Sequence, residues 1–220
     1  MIKLIIKEIK EIIKKLLFRY TKIGAPTYAY NLEPSQLAEI VDSLNKVKNI
    51  EGCICEIGVA RGLTTMFICE HIKDFKNIPR FYCIDTYSSF VKEDMDFEVE
   101  RRNKKKSELS GFSYNNFEIW KKNFKKFNFV KAIQTDVKKF DFSKIKPIKF
   151  ALLDVDLYLP TLAALRELKE NMCKGGIVVV DDVNDNNSWD GANQAFFEFI
   201  KENSLNFKLI GKKCGVIEFN

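Results

Sequence analysis

Apolar side chains recur at a helical period near the start of the chain, at Ile2, Ile5, Ile6, Ile9, Ile12, Ile13, Leu16 and Leu17, with Lys3, Lys7, Lys10 and Lys14 between them. That spacing predicts an amphipathic helix over residues 2–18 with a basic outer face. Beyond residue 34 the pattern changes to short continuous apolar runs: Cys53 to Ile57, Phe81 to Asp85, Val130 to Gln134, Ile148 to Leu153 and Ile177 to Val180. Helical stretches lie between and around them, from Pro34 to about Lys48, Leu63 to Asp74, Asn115 to Phe127, Thr161 to about Cys173, and Gly191 to Lys201. Buried strands alternating with amphipathic helices predict a parallel sheet covered on both faces. The last two runs, Phe207 to Ile210 and Val216 to Phe219, are joined through Gly211-Lys212-Lys213. That link is too short for a crossover, so the pair is antiparallel. The expectation is an α/β fold: a doubly wound, mostly parallel seven-stranded sheet with an antiparallel last strand.

Punctuation fixes several boundaries. Pro34 suits the first turn of its helix, and Gly175-Gly176 is read as the stop of the helix beginning at Thr161. Residues 1–33, the first helix and an irregular segment with Tyr28 and Tyr30, are separated from a domain spanning 34–220. Residues 88–128 exceed what a plain crossover needs and carry Arg101-Arg102-Asn103-Lys104-Lys105-Lys106. They are read as a substrate lid or a disordered loop, with Phe117, Trp120, Phe124 and Phe127 as the apolar face of a helix in their later part.

A chain of 220 residues suits one domain with a full core. Its net charge of +6 is mild and interspersed, which argues against a nucleic-acid partner. The first helix is too charged to span a bilayer and lacks the features of a signal peptide. It is expected to pack on the domain or pair with a second subunit in a homo-oligomer; resting on an anionic membrane surface is the less favoured reading. The six cysteines show no Cys-x-x-Cys pair. They read as buried free thiols of a reducing, cytoplasmic setting. His71, the lone histidine, points away from the start of its helix and is given no catalytic role.

The chemistry is expected where Cys53 to Ile57 runs into Gly58-Val59-Ala60-Arg61-Gly62 and a helix departs, since such a junction offers a ligand the carboxyl end of a strand and free helix amides. Gly58 allows the sharp bend and Gly62 a close approach of the first helical turn. Ala60 stands where a dinucleotide fingerprint has its middle glycine. Glu56, just before the turn, would repel phosphate but suit an ammonium or a ribose hydroxyl. Asp85, ending the second strand, is placed to hold a ribose diol.

Four blocks, Glu56-x-Gly58-Val59-x-Arg61-Gly62, Asp154-x-Asp156-x-Tyr158-x-x-Thr161, Gly175-Gly176-x-x-x-x-Asp181-Asp182 and Gly191-Ala192-x-x-Ala195, together resemble the macrocin O-methyltransferase family within the class I S-adenosylmethionine-dependent methyltransferases. The resemblance implies a Rossmann-like methyltransferase fold. It also implies that Glu56, Gly58 and Gly62 border the methionine part of S-adenosylmethionine, with Asp85 at the ribose and Asp136 near the adenine, and that Val59, Ala60, Arg61, Thr86 and Asp154 belong to the same cofactor site. A divalent metal, Mg²⁺, is implied on Asp154, Asp181 and Asp182, a hard oxygen-rich set of the kind Mg²⁺ prefers. The implied reaction is O-methylation of a small-molecule sugar or polyol, glycan or nucleotide-sugar included, with Asp154 as a candidate proton acceptor. Leu157 stands where catechol-type enzymes carry a lysine base. Two other readings are a nucleotide-dependent oxidoreductase on the same turn and a non-catalytic scaffold on the same fold.

Overall fold

The computed structural model describes residues 2–185 and 188–219. The chain divides into two units, Met1–Asn31 and Leu32–Asn220. The first contains helix α1 (Ile2–Tyr20), closed by a short 3-10 turn at Lys22–Gly24 that Thr21 caps by accepting from the Ile23 amide.

The second unit is built on strands β1 (Cys53–Ile57), β2 (Phe81–Asp85), β3 (Val130–Gln134), β4 (Ile148–Leu153), β5 (Met172–Val180), β6 (Phe207–Ile210) and β7 (Cys214–Phe219). They form one sheet in the order β3-β2-β1-β4-β5-β7-β6. The first five are parallel, and β7 runs antiparallel to β5 and β6. The order reverses between β1 and β4, and ligands of open α/β sheets bind outside the carboxyl ends at such a switch point.

Alternation along the strands splits the core into two layers. Cys53, Cys55 and Ile57 of β1 face α6 (Tyr158–Asn171) and α7 (Asp190–Asn203), with Leu165, Leu168, Phe196 and Phe199 buried there. Ile54 faces the opposite layer under α2 (Pro34–Val47), α3 (Leu63–Ile72) and α5 (Phe117–Phe124), with Ile40, Ile68 and Phe124. All six cysteines are free, and only Cys173 is less than buried.

One expectation needs correction. The glycines Gly175-Gly176 do not end α6. That helix stops at Asn171, where Met172 turns extended (φ −70°, ψ 143°) and begins β5 at once. The glycines lie inside β5, where its register against β4 slips, Ile148 facing Met172 but Phe150 facing Ile177. Gly175 takes φ +76° in the extra loop of chain this creates.

The insertion after β2 is ordered. It contains α4 (Lys92–Arg102) and α5, and some of its charges, Asp94, Glu98 and Arg102 among them, turn inward. Glu98, fully buried, accepts from the Tyr158 amide at 2.7 Å and from Arg102 Nε at 2.7 Å. Arg102 continues to Asp190, which also takes Lys104 at 2.8 Å. At the other end of α4, buried Asp94 meets Lys138. So Arg102 and Lys104, two of the five cations in the block at 101–106, hold α4 against α6 and α7.

Candidate active site

Backbone hydrogen bonds continue past the strand ends and align the candidate residues in one row. The Gly58 amide donates to Ile84 O, the Asp154 amide to Ile57 O and the Asp181 amide to Leu153 O, all at 2.8–2.9 Å. Gly58, Asp154 and Asp181 therefore stand side by side on the carboxyl edge across the switch point. Gly58 is irreplaceable there, because its φ is +83° and a Cβ would sit 1.8 Å from the Asp154 carbonyl oxygen. Gly62, at φ +87°, admits the Trp120 and Phe124 rings of α5, which a Cβ would meet at 2.6–2.9 Å. Its closeness serves packing of the insertion rather than open space for a ligand.

The turn is pinned from two sides. Asp85 Oδ2 accepts from the Val59 amide at 2.7 Å and the Ala60 amide at 3.1 Å, while Oδ1 accepts from the Tyr87 amide at 2.6 Å and lies 3.3 Å from Thr86 Oγ1. Asn115 of the insertion donates to the Ala60 carbonyl at 2.7 Å. Ala60 takes φ +44°, the left-handed conformation these bonds hold in place. These bonds use at least three of the about four acceptor positions a carboxylate offers, so Asp85 shapes the turn and keeps at most one position for a ribose hydroxyl. Arg61 is exposed.

Glu56 is not at the mouth of the turn. It is buried beneath α3, where Oε2 accepts from Thr65 Oγ1 at 2.6 Å, and burial pushes its carboxyl up to about 8. Asp136 caps the short turn after β3 through the Lys138 amide. Its second oxygen is buried without a hydrogen bond, the nearest cation being Lys138 Nζ at 3.7 Å. An orphaned acceptor of this kind fits the exocyclic amine of an adenine.

Three carboxylates converge beyond β4 and β5. Oxygens of Asp154, Asp156 and Asp182 all lie within 4.8 Å of one another. Asp156 and Asp182 reach this point through left-handed backbone, at φ +63° and +58°. Asp181, expected in the set, faces elsewhere: Oδ1 accepts from Gln36 Nε2 at 2.6 Å and Oδ2 from Lys213 Nζ at 2.9 Å. Lys213 also reaches Asp182 at 2.9 Å. Burial raises the Asp154 and Asp156 carboxyls well above the usual range, and the neighbouring carboxylates add to it, Asp181 foremost for Asp154 and Asp182 for Asp156. Burial and Asp182 raise Asp181 as well. Burial alone would lower the Lys213 ammonium, but Asp181 and Asp182 outweigh it and hold it above its ordinary value. One cation thus faces four clustered acids, and an all-oxygen set of this span fits a six-coordinate hard cation with ligands at about 2.1 Å after small side-chain rotations.

Asp156, Lys213, Gln36, Thr65 and Asn115 are the site residues that sequence reasoning missed. Asp156 carried a signal, since it belongs to the Asp154-x-Asp156 block. The other four are joined to the site only by tertiary contacts.

The fold has clear counterparts. Calicheamicin methyltransferase CalS11 superposes with a TM-score of 0.71 at 17% identity, over 97% of this chain and 92% of that one. The O-methyltransferase NovP gives 0.67 at 19% identity, over 84% and 80%. A putative caffeoyl-CoA O-methyltransferase from Staphylococcus aureus gives 0.56 at 14%, over 99% and 98%. At these identities the likeness is one of fold. No curated protein matches the sequence. The model of the macrocin-O-methyltransferase (TylF) family, however, matches residues 19–212, nearly the whole length, and the chain belongs to that family of S-adenosylmethionine-dependent methyltransferases.

Proposed function

We propose that this enzyme methylates a hydroxyl of a sugar or similar polyol, and that its carboxylate group binds Mg²⁺. The observation that carries the reading is the meeting of Asp154, Asp156 and Asp182 on the same sheet edge as the glycine turn. CalS11 is a TDP-rhamnose 3'-O-methyltransferase, and a vicinal diol or hydroxyl-rich ring suits a hard cation better than an isolated alcohol does. Asp154, Asp156 and Asp182 would hold the metal, with Asp181 kept in place by Gln36 and Lys213. The metal would supply Lewis acidity that lowers the pKa of a bound hydroxyl. S-adenosylmethionine supplies an electrophilic methyl group.

The chain's own contribution is position and proton handling. Asp85, with Asn115 behind it, fixes the turn at Val59 and Ala60 and would offer its one remaining acceptor position to a ribose hydroxyl. Asp136 presents its free oxygen to the adenine amine. Asp154 would accept the proton leaving the acceptor hydroxyl, directly or through a water. Orientation of acceptor oxygen and methyl group then does most of the remaining work. Six free cysteines suit a reducing compartment, the cytoplasm.

The test combines calorimetry with S-adenosylhomocysteine and turnover on a panel of nucleotide-linked sugars, with Mg²⁺ or excess chelator. Cofactor binding that survives chelation, together with turnover that does not, is the expected result. Turnover undiminished by chelator removes the metal, and turnover confined to non-sugar phenols removes the acceptor class.

A further inference from the structure

Helix α1 presents an apolar arc that the described residues of its own unit leave exposed. Apart from half-buried Leu17, its large apolar side chains are 47% (Ile6) to 75% (Ile2) exposed, and none of its residues is buried. Ile2, Ile5, Ile6, Ile9, Ile12, Ile13 and Leu16 share that arc by their spacing. Lys3, Lys7, Lys10 and Lys14, spaced by four, three and four residues, line one border of it beside Ile6, Ile13 and Leu17. With Lys15 and Arg19 against Glu8 and Glu11, the helix carries +4 of the chain's net +6.

We infer that α1 lies on an anionic phospholipid surface, with the isoleucine arc in the acyl boundary and the lysine border at the headgroups. A wide apolar face, a cationic polar face and modest overall hydrophobicity are the signature of a helix that rests in a membrane interface. The same helix is too charged to cross one, and among the described residues no helix is long and apolar enough to do so. Charge decides between this surface and a second copy of the helix. Two antiparallel copies would set the lysine border against itself, and two parallel copies would set it against a border that holds Lys15 and Arg19 alongside Glu8, a net repulsion in either case. An anionic bilayer complements every cation at once.

The experiment is co-sedimentation of the full chain with vesicles of phosphatidylcholine alone and of phosphatidylcholine with about one third phosphatidylglycerol. Binding to the anionic vesicles that weakens with salt, and little binding to the neutral ones, is expected. Replacing Lys3, Lys7, Lys10 and Lys14 together by Gln should weaken it by about tenfold or more. The triple change Ile5→Glu, Ile9→Glu, Ile12→Glu should abolish it. Both variants should bind S-adenosylhomocysteine as the parent does, which reports an intact domain. Equal binding to neutral vesicles, no binding to anionic ones, or a triple variant that still sediments overturns the inference. So does a parent dimer that the triple variant splits while vesicles bind neither form.

Discussion

Glu56 shows how one buried group sets a pH dependence. Its carboxyl sits at about 8 instead of 4.5 because burial disfavours the anion more than the Thr65 hydroxyl compensates it. A raised acid is protonated in the fold where it would be ionised in the unfolded chain. Its stabilising contribution is therefore complete below pH 4.5 and disappears as pH climbs towards 8. Glu56→Gln keeps an acceptor for Thr65 and cannot ionise. The variant should match the parent near pH 5 and exceed it by a few kcal/mol, roughly, at pH 8, in urea unfolding without cofactor. A parent curve as flat as the variant's would mean that Glu56 is already ionised in the fold. At Gly58 steric overlap decides instead. The Cβ of Gly58→Ala falls 1.8 Å from a carbonyl oxygen of the neighbouring strand, so relief requires β1 and β4 to part. A loss above about 3 kcal/mol is expected by the same measurement.

At the scale of elements, legibility followed what each element buries. Strands β1 and β4 were readable because they bury apolar residues on both faces, and α5 because Trp120 and Phe124 form its inner side. Helix α4 gave no such signal. Its buried residues are Asp94 and Glu98, so the periodicity that betrays a packed helix is absent and a basic run hides its docking. The glycines of β5 misled for a related reason: Gly175-Gly176 suits a helix end and a strand bulge equally, and the register of β4 against β5 decides. The ionic docking of α4 is testable. Glu98→Ala removes the acceptor of the Tyr158 amide and the partner of Arg102, leaving two buried donors unsatisfied. Stability should fall by about 3 kcal/mol, and trypsin should cut after Arg101 and Lys105 faster than in the parent. Unchanged cleavage would show that α4 is held by its remaining contacts.

Across the whole molecule, the sheet order brings the glycine turn and the acids together, and left-handed turns choose which acids meet. The sequence placed Asp154, Asp181 and Asp182 at strand ends, but a residue just past a strand aims its side chain by the local backbone. At φ +63° and +58°, Asp156 and Asp182 swing towards Asp154, while Asp181 keeps the strand direction towards Gln36 and Lys213. The resulting cluster stores repulsion that a cation relieves. With Asp154, Asp156 and Asp181 all raised above 3.8, the metal-free fold is most stable when they are protonated and weakens as pH rises through their folded values. Mg²⁺ needs the ionised forms, so its affinity should increase with pH and its binding should release protons. The thermal midpoint without metal should therefore decline from pH 5 towards 8, and saturating Mg²⁺ should raise it most at the alkaline end, by the mass-action stabilisation of a bound ligand. Asp156→Asn removes one of the repelling charges and one ligand. It should raise the metal-free midpoint at pH 8 and erase most of the Mg²⁺ response, whereas a parent midpoint indifferent to Mg²⁺ at every pH would mean that Lys213 alone balances these carboxylates.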